Sequence, residues 1–300
     1  MKILITGGAG FIGSHIAELL HENHEVHILD NLFTGKRENL KDLKVFFHKA
    51  DIQDFEKVND LTKGMDYIFH LAALISVPES IKKPKETSDI NIQGTINVLE
   101  AAKINNVKKV ILSSSAAVYG DLPDLLKKES SRLKPKAPYA FSKLANEYFA
   151  NLYNKEHNLK TCCLRYFNVY GPRQDPNSAY AAAIPTFAIK ALTNKEISIY
   201  GNGKQTRDFI FVKDIARANI FAMENLEGVY NVASGKIIEI NKLVEQIIRL
   251  SNSKSKICHT DSRPGDIKDS AADISKLKEK GFQNMTDFEQ GLKETLAFYR

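Results

Sequence analysis

Short runs of β-branched and aliphatic residues recur through the first half of the chain, at 2–6 (KILIT), 25–30 (EVHILD), 44–48 (KVFFH), 67–71 (YIFHL), 107–113 (VKKVILS) and 159–165 (LKTCCLR). Runs of this length, bounded by turn-forming residues, predict strands. The stretches between them have helical spacing. Over 139–154, Phe141, Leu144, Ala145, Tyr148, Phe149, Leu152 and Tyr153 recur at intervals of three and four, which predicts an amphipathic helix. Alternating strands and helices imply βαβ units. The expected fold class is α/β, a Rossmann-type doubly wound parallel sheet with ligands at the carboxyl ends of its strands. After residue 168 the pattern loosens, and GPRQDPNSAY, YGNGKQTRD and SRPGDIKD read as loops. The expected organisation is a larger unit over 1–168, with 213–236 folding back onto it, and a smaller α/β unit over 169–300.

At 300 residues and 43% hydrophobic content, the chain can fill a sizeable core. The apolar start, MKILITGGAGFIGSHIAELL, is interrupted by glycines and a histidine and has neither the core nor the cleavage site of a signal peptide. No later stretch reaches the roughly 18 apolar residues that would span a bilayer. Of the three cysteines, Cys162 and Cys163 are adjacent, so a disulfide framework is not expected. A reduced, cytoplasmic protein without a membrane partner is the expectation. The net charge of +6 comes from scattered lysines, as in IKKPK and LKKES. Without a basic stripe interleaved with aromatics, nucleic acid is not an expected partner, whereas an anionic small substrate suits the charge.

Gly7, Gly10 and Gly13, in TGGAGFIGSH, fall between the first strand and the first helix. Glycines there allow a tight turn, let a pyrophosphate approach bare backbone, and pack helix on strand. The second strand ends in Asp30, at the distance expected for a carboxylate that binds the adenosine ribose. That carboxylate would repel a 2′-phosphate, so NAD rather than NADP is the expected cofactor. Tyr139 and Lys143 lie four apart at the start of the amphipathic helix, just after Pro138. An ammonium beside a phenol favours phenolate. Bringing tyrosine to neutrality takes a shift of roughly three pH units, about 4 kcal/mol, which two cations in a dry cleft can supply.

In order along one α/β scaffold, the chain carries GGAGFIGSH, DNLFTGKRENL, HLAALISVPES, NIQGTINVLEAA, SSSAAVYG, YAFSK, RYFNVYGPRQDP, YGNGKQTRDFIFVKD and RPGDIKDSAADISK. This series resembles the extended short-chain dehydrogenase/reductase superfamily, and within it the nucleotide-sugar epimerase/dehydratase branch. The resemblance implies that Ser115 hydrogen-bonds the reacting sugar hydroxyl, that Tyr139 is the acid/base, and that Lys143 binds the nicotinamide ribose while depressing the phenol's pKa. It also implies that Phe11, Ile12, Asp30, Asn31, Asp51, Ile52, Leu71, Ala72, Ala73, Asn91 and Phe167 line the NAD cleft. Ser113 and Ser114 are left as backbone-packing residues, and no metal is expected.

Members of the branch share oxidation at C4 of the sugar and differ in the later steps. Dehydrating members carry acidic residues just after the serine, because elimination needs a base at C5 and an acid at C6; decarboxylating members carry a glutamate there. Ala116 and Ala117 stand at those positions here. The resemblance therefore implies a UDP-sugar 4-epimerase. Arg207 and Arg263 match arginines that bind the diphosphate, in keeping with guanidinium geometry. Asn168, Ala182 and Asp266 match other substrate contacts. Ser270 matches a gate beside the C2 substituent, small enough to admit an N-acetyl group, and Gln174 fits the same reading; Ile75 and Ala116 point toward the plain sugars. A pocket open to both is expected. The rival readings are a UDP-glucuronate 4-epimerase or decarboxylase, a sugar reductase, which Asp30 disfavours, and a non-catalytic NAD-binding module, which retention of Tyr139 and Lys143 opposes. A homodimer formed through helix 139–154 is expected.

Overall fold

In the computed structural model, which describes residues 1–121, 126–176, 182–261, 269–283 and 285–300, seven parallel strands build the central sheet. They are β1 (Lys2–Thr6), β2 (Glu25–Asp30), β3 (Phe46–Lys49), β4 (Tyr67–His70), β5 (Lys109–Ser115), β7 (Lys160–Tyr166) and β11 (Gly228–Val232), in the order β11-β7-β5-β4-β1-β2-β3. The six predicted strands are all present. The strand order reverses at β1, so the crevice outside the carboxyl ends of β1 and β4 is the switch point of a Rossmann-type sheet.

Alternate side chains of these strands enter two separate cores. Ile3, Ile5, Ile28, Phe69, Ile111 and Leu164 meet Ile16 and Ala17 of α1 (Phe11–Leu20) and Ile215, Ala218 and Ala222 of α8 (Val212–Asn225). Leu4, Leu29, Ile68, Val110, Leu112 and Cys163 meet Val58 of α2 (Phe55–Thr62), Val98 and Leu99 of α5 (Gly94–Ile104) and Ala150 of α6 (Pro138–His157). With both faces covered, the strands read as continuous apolar runs. Although late in the chain, α8 packs against α1 and β11 pairs with β7.

A second sheet joins β12 (Ile237–Glu239), β10 (Thr206–Phe211), β14 (Asp269–Ala272) and β6 (Leu126–Lys127), with β8 (Asn168–Tyr170) beside β10. The stretch YGNGKQTRD is therefore not loop throughout: Thr206–Asp208 opens β10, fixed by pairing with β12 and β14 and by the Thr206 hydroxyl on Asp269, 2.6 Å. A two-stranded sheet of β9 (Ile197–Tyr200) and β13 (Ile257–Thr260) packs with α7 (Ala183–Leu192), α9 (Ile240–Ser251) and α11 (Phe288–Tyr299) in a third core around Phe187, Ile199, Phe211 and Leu243. The short helices α3 (Val77–Lys82), α4 (Pro84–Ser88) and α10 (Ser275–Glu279) complete the chain.

Helix α6 departs from the amphipathic pattern. Its buried face is Ala140, Ser142, Lys143, Asn146, Glu147, Ala150 and Tyr153, whereas Phe141, Tyr148 and Leu152 are 58%, 68% and 47% exposed. A polar face turned inward needs partners on the sheet. Glu147 takes a two-pronged bond from Arg165 of β7, Nε to Oε1 at 2.8 Å and Nη2 to Oε2 at 2.6 Å, with both side chains buried. Replacing Glu147 by Gln leaves the guanidinium buried without a carboxylate, and a loss of about 3–5 kcal/mol is expected. Removing both charges together, Glu147→Leu with Arg165→Met, should cost far less. Urea unfolding of the three proteins measures the difference.

Candidate active site

Tyr139, Lys143 and Glu147 follow one another at intervals of four from the first turn of α6, so they share a face. Opposite that face, β5 ends in Ser113, Ser114 and Ser115. Each serine meets one of the three. Ser115 faces Tyr139, and its hydroxyl favours the phenolate. Lys143 Nζ donates to the Ser113 carbonyl at 2.9 Å and to its hydroxyl at 3.1 Å. Ser114 Oγ donates to Glu147 Oε1 at 2.5 Å. Ser113 and Ser114 are thus not mere backbone-packing residues: a buried ammonium and carboxylate need polar partners, and the two hydroxyls are among them. Ser115 also accepts the Ala117 N–H at 3.2 Å, capping the tight turn Ala116–Tyr119.

The electrostatics differ from the expectation in one respect. Burial raises the Tyr139 phenol above its ordinary pKa, and only the Ser115 hydrogen bond opposes this. Lys143 Nζ lies 6.0 Å from the ring centre and gives two of its three protons to Ser113. With Lys143 at that distance, burial still leaves the phenol's pKa raised. Burial without an anionic partner pushes Lys143 itself down to about 8.

On the other side of the switch point, Gly7, Gly10 and Gly13 form the turn from β1 into α1. Gly7 has φ +69°, and a Cβ there would lie 2.7 Å from the Ala72 nitrogen; one on Gly13 would lie 2.3 Å from the Gly7 carbonyl oxygen. Bare backbone is a steric requirement here. No side chain caps α1, which begins Phe11-Ile12, so its first N–H groups face the crevice rim available for phosphate. The Asp30 carboxylate accepts the Ala9 N–H at 3.0 Å and the Leu32 N–H at 2.8 Å. Burial raises its pKa, and these two bonds pull it back. Leu32 is held at φ +62°, a left-handed conformation that costs a leucine about 1–2 kcal/mol. Asn31 donates to Asp51 at 2.8 Å, and Ile52 is buried beside them. Leu71, Ala72 and Ala73 follow β4, with the Leu71 N–H on the Thr6 carbonyl at 3.0 Å. A dinucleotide fits this cradle of glycines, free helix N–H groups and a strand-end carboxylate. Two expected contacts have other employment. The amide of Asn91 donates both its protons to protein, to Leu74 and Ser142, and the Phe167 side chain packs in a core with Val118, Tyr119 and Ala272.

Of the expected substrate residues, three come together. Arg207 of β10 pairs in register with Ser270 of β14, and the Asn168 amide donates to the neighbouring Asp208 carbonyl at 2.9 Å. Ala182 stands exposed at the start of α7. Arg263 and Asp266 lie outside the described residues. Gln174 donates to the Val169 carbonyl at 3.1 Å, and Ile75 is 64% exposed. Among the described residues no group of three or more His, Cys, Asp or Glu could hold a metal ion, and no helix is long and apolar enough to cross a membrane. Glu147 and Arg165 were not singled out in the sequence; the signal was a charged residue four after Lys143 and another inside an apolar strand.

Because Lys143 is pushed down to about 8 from 10.5, the folded chain gives up this proton before the unfolded chain does. The buried ammonium is therefore a full penalty below about pH 8, one that fades as pH rises toward 10.5. Lys143→Met should be more stable than wild type at pH 7 by on the order of 2 kcal/mol, after allowing for the lost bonds to Ser113. The gap should close by pH 10.5. Melting temperatures of both proteins across this range provide the check.

A profile of the NAD dependent epimerase/dehydratase family matches residues 3–233. The structure of a UDP-N-acetylglucosamine 4-epimerase from Methanobrevibacter ruminantium, in complex with UDP-N-acetylmuramic acid, superposes with a TM-score of 0.96 at 45% identity, over 99% of this chain and 97% of that one. A UDP-glucose 4-epimerase from Thermotoga maritima with UDP-glucose gives 0.95 at 35% identity, over 100% and 98% of the two chains. A UDP-N-acetyl-alpha-D-glucosaminuronate decarboxylase from Bacillus cytotoxicus is 36% identical over 316 residues, covering 100% of this chain and 98% of its own. Likeness of this extent, on a switch-point sheet with the glycine turn and the Tyr139–Lys143 face in place, makes the chain a member of the NAD dependent epimerase/dehydratase family, within the extended short-chain dehydrogenases/reductases.

Proposed function

We propose that the protein is an NAD-dependent UDP-sugar 4-epimerase, interconverting UDP-glucose with UDP-galactose and also their N-acetyl forms. The observation that carries this reading is the end of β5, where Ser115 faces Tyr139 and is followed by Ala116 and Ala117 rather than by a carboxylate. The 4-epimerases among the similar structures support it.

Bound NAD would supply the hydride chemistry at C4 of the sugar, as acceptor and then as donor. Gly7, Gly10, Gly13 and the start of α1 hold its pyrophosphate, Asp30 the adenosine ribose, and Lys143 the nicotinamide ribose. Tyr139 takes the proton of the 4-hydroxyl on the way out and returns it on the way back, with Ser115 aligning that hydroxyl. A positive nicotinamide ring would add to the charge of Lys143 in favouring the Tyr139 phenolate. Ala116 and Ala117, directly after Ser115, can neither remove a C5 proton nor protonate a leaving hydroxyl, which leaves rotation and reduction open to the 4-ketone. Arg207, with Arg263, binds the diphosphate; Asn168 and Asp266 complete the nucleotide site, and Ala182 lies on the side open to acetamido sugars. Ser270, next to Arg207 across the strand pair, leaves room for a C2 acetamido group. The free cysteines accord with a reducing cytoplasm.

Purified protein incubated separately with UDP-galactose, UDP-glucose, UDP-GlcNAc and UDP-glucuronate, with and without added NAD, is expected to invert C4 of the first three without net NADH. Chromatography of the products decides. Turnover of UDP-glucuronate alone, or NAD binding without any turnover, sinks the reading.

We also infer a homodimer joined through α6. Phe141, Tyr148 and Leu152 lie at spacings of seven and four on that helix and are all exposed, an apolar stripe suited to its own copy across a two-fold axis. Light scattering should give twice the chain mass, and Tyr148→Glu should give a folded monomer. A monomeric wild type refutes the interface.

A further inference from the structure

Beneath the switch point runs a chain of buried polar side chains that the reaction described above does not use. His70 ends β4 and is 3% exposed. Its Nδ1 lies 2.7 Å from Thr6 Oγ1 at the end of β1, and its Nε2 lies 2.9 Å from Thr95 Oγ1 in the first turn of α5. Thr95 has a single hydroxyl proton, and it goes to the Asn91 carbonyl at 2.6 Å. Thr95 can then only accept from His70, which places a proton on Nε2. Burial keeps the ring neutral, with its pKa pushed down to about 3. Nδ1 is therefore bare and accepts from the Thr6 hydroxyl, whose oxygen accepts the Ala72 N–H at 3.4 Å. The bonds run in one direction, from Ala72 beside the glycine turn, through Thr6, His70 and Thr95, to Asn91.

Asn91 sits in a π turn, Asp89–Gln93, between α4 and α5. π turns are rare because they widen the helix, and they concentrate at functional sites. This one directs the Asn91 side chain to Leu74, accepting its N–H at 2.7 Å and donating to its carbonyl at 3.0 Å, and to Ser142, donating at 3.0 Å. Ser142 Oγ donates in turn to the Tyr139 carbonyl at 2.8 Å. The first turn of α6 is thereby hung from the π turn.

We infer that His70 is a positioning residue: held as the Nε2–H tautomer between Thr6 and Thr95, it fixes the π turn that aims Asn91 at the Ser142–Tyr139 turn. The strand that bears the cofactor loop thus sets the place of the tyrosine. The consequence for turnover rests on Tyr139 being the acid/base of the proposed 4-epimerase; the tautomer does not.

Thr95→Val keeps the shape of the side chain and removes the hydroxyl, while Thr95→Ser keeps the hydroxyl. With UDP-galactose as probe, Thr95→Val should lose on the order of 10-fold in kcat, with KM and bound NAD per chain unchanged, and Thr95→Ser should recover most of it. Long-range ¹⁵N NMR of the histidine rings should show His70 neutral, protonated on Nε2, and not titrating from about pH 5 to 8. In Thr95→Val that single-tautomer signature should be lost. A titrating His70, or one protonated on Nδ1, overturns the inference. So does wild-type kcat in Thr95→Val, or a common fall in kcat, substrate affinity and NAD retention that Thr95→Ser does not relieve. Should the wild type turn over no UDP-sugar, the epimerase reading fails, and the NMR signature alone still decides the state of His70.

Discussion

Between the helix that carries Tyr139 and Lys143 and the sheet that carries the serines, the contact is polar, and it closes on the Arg165–Glu147 pair. Arg165 also donates to the Tyr119 hydroxyl at 2.8 Å, and Tyr119 to Asn231 of β11 at 2.6 Å. The network thus ties α6, β5, β7, the turn after β5 and β11 around one carboxylate. Removing two charges from water costs more than an exposed pair returns, so this arrangement is not to be read as a gain in stability. Its effect is geometric. An apolar helix face can rotate or slide on a sheet at little cost, but a guanidinium fork meeting a carboxylate admits one register. That register puts Tyr139 against Ser115 and Lys143 against Ser113.

Much of this was legible in the chain. The strands are short apolar runs because both faces of a parallel sheet are covered, and their boundaries moved by no more than two residues. The positive φ of Gly7, the approach of Gly13 to Gly7 and the bonds of Asp30 to Ala9 and Leu32 all act within thirty residues. What was not legible depends on distant pairing. Helix 139–154 reads as amphipathic because Phe141, Tyr148 and Leu152 recur at helical spacing, yet these residues face outward and the buried face is polar. Periodicity locates an apolar stripe; it does not say whether the protein's own sheet or a second copy covers it. Likewise Ser113 and Ser114 gain their meaning only from residues about thirty positions later. Thr206–Asp208 reads as loop because its ladder partners, β12 and β14, lie far along the chain.

The protein's own side chains leave the site electrically incomplete. Lys143 is buried without a carboxylate, and Tyr139 is raised rather than lowered. Both environments favour neutral side chains, the opposite of what proton transfer from a sugar hydroxyl requires. A fold selected for stability alone would place a methionine at 143. The folded state tolerates the ammonium because Ser113 offers it a carbonyl and a hydroxyl, enough to order the side chain without neutralising it. A carboxylate there would hold Lys143 more firmly and also cancel the charge that Tyr139 needs. Neutral oxygens on β5 are the compromise that keeps the cation in place and its field available, and the second cation is left for the cofactor to bring. Three consecutive serines at the end of an apolar strand are the sequence trace of that compromise: one fixes the lysine, one the helix register, and the third, in the function proposed, aligns the sugar hydroxyl.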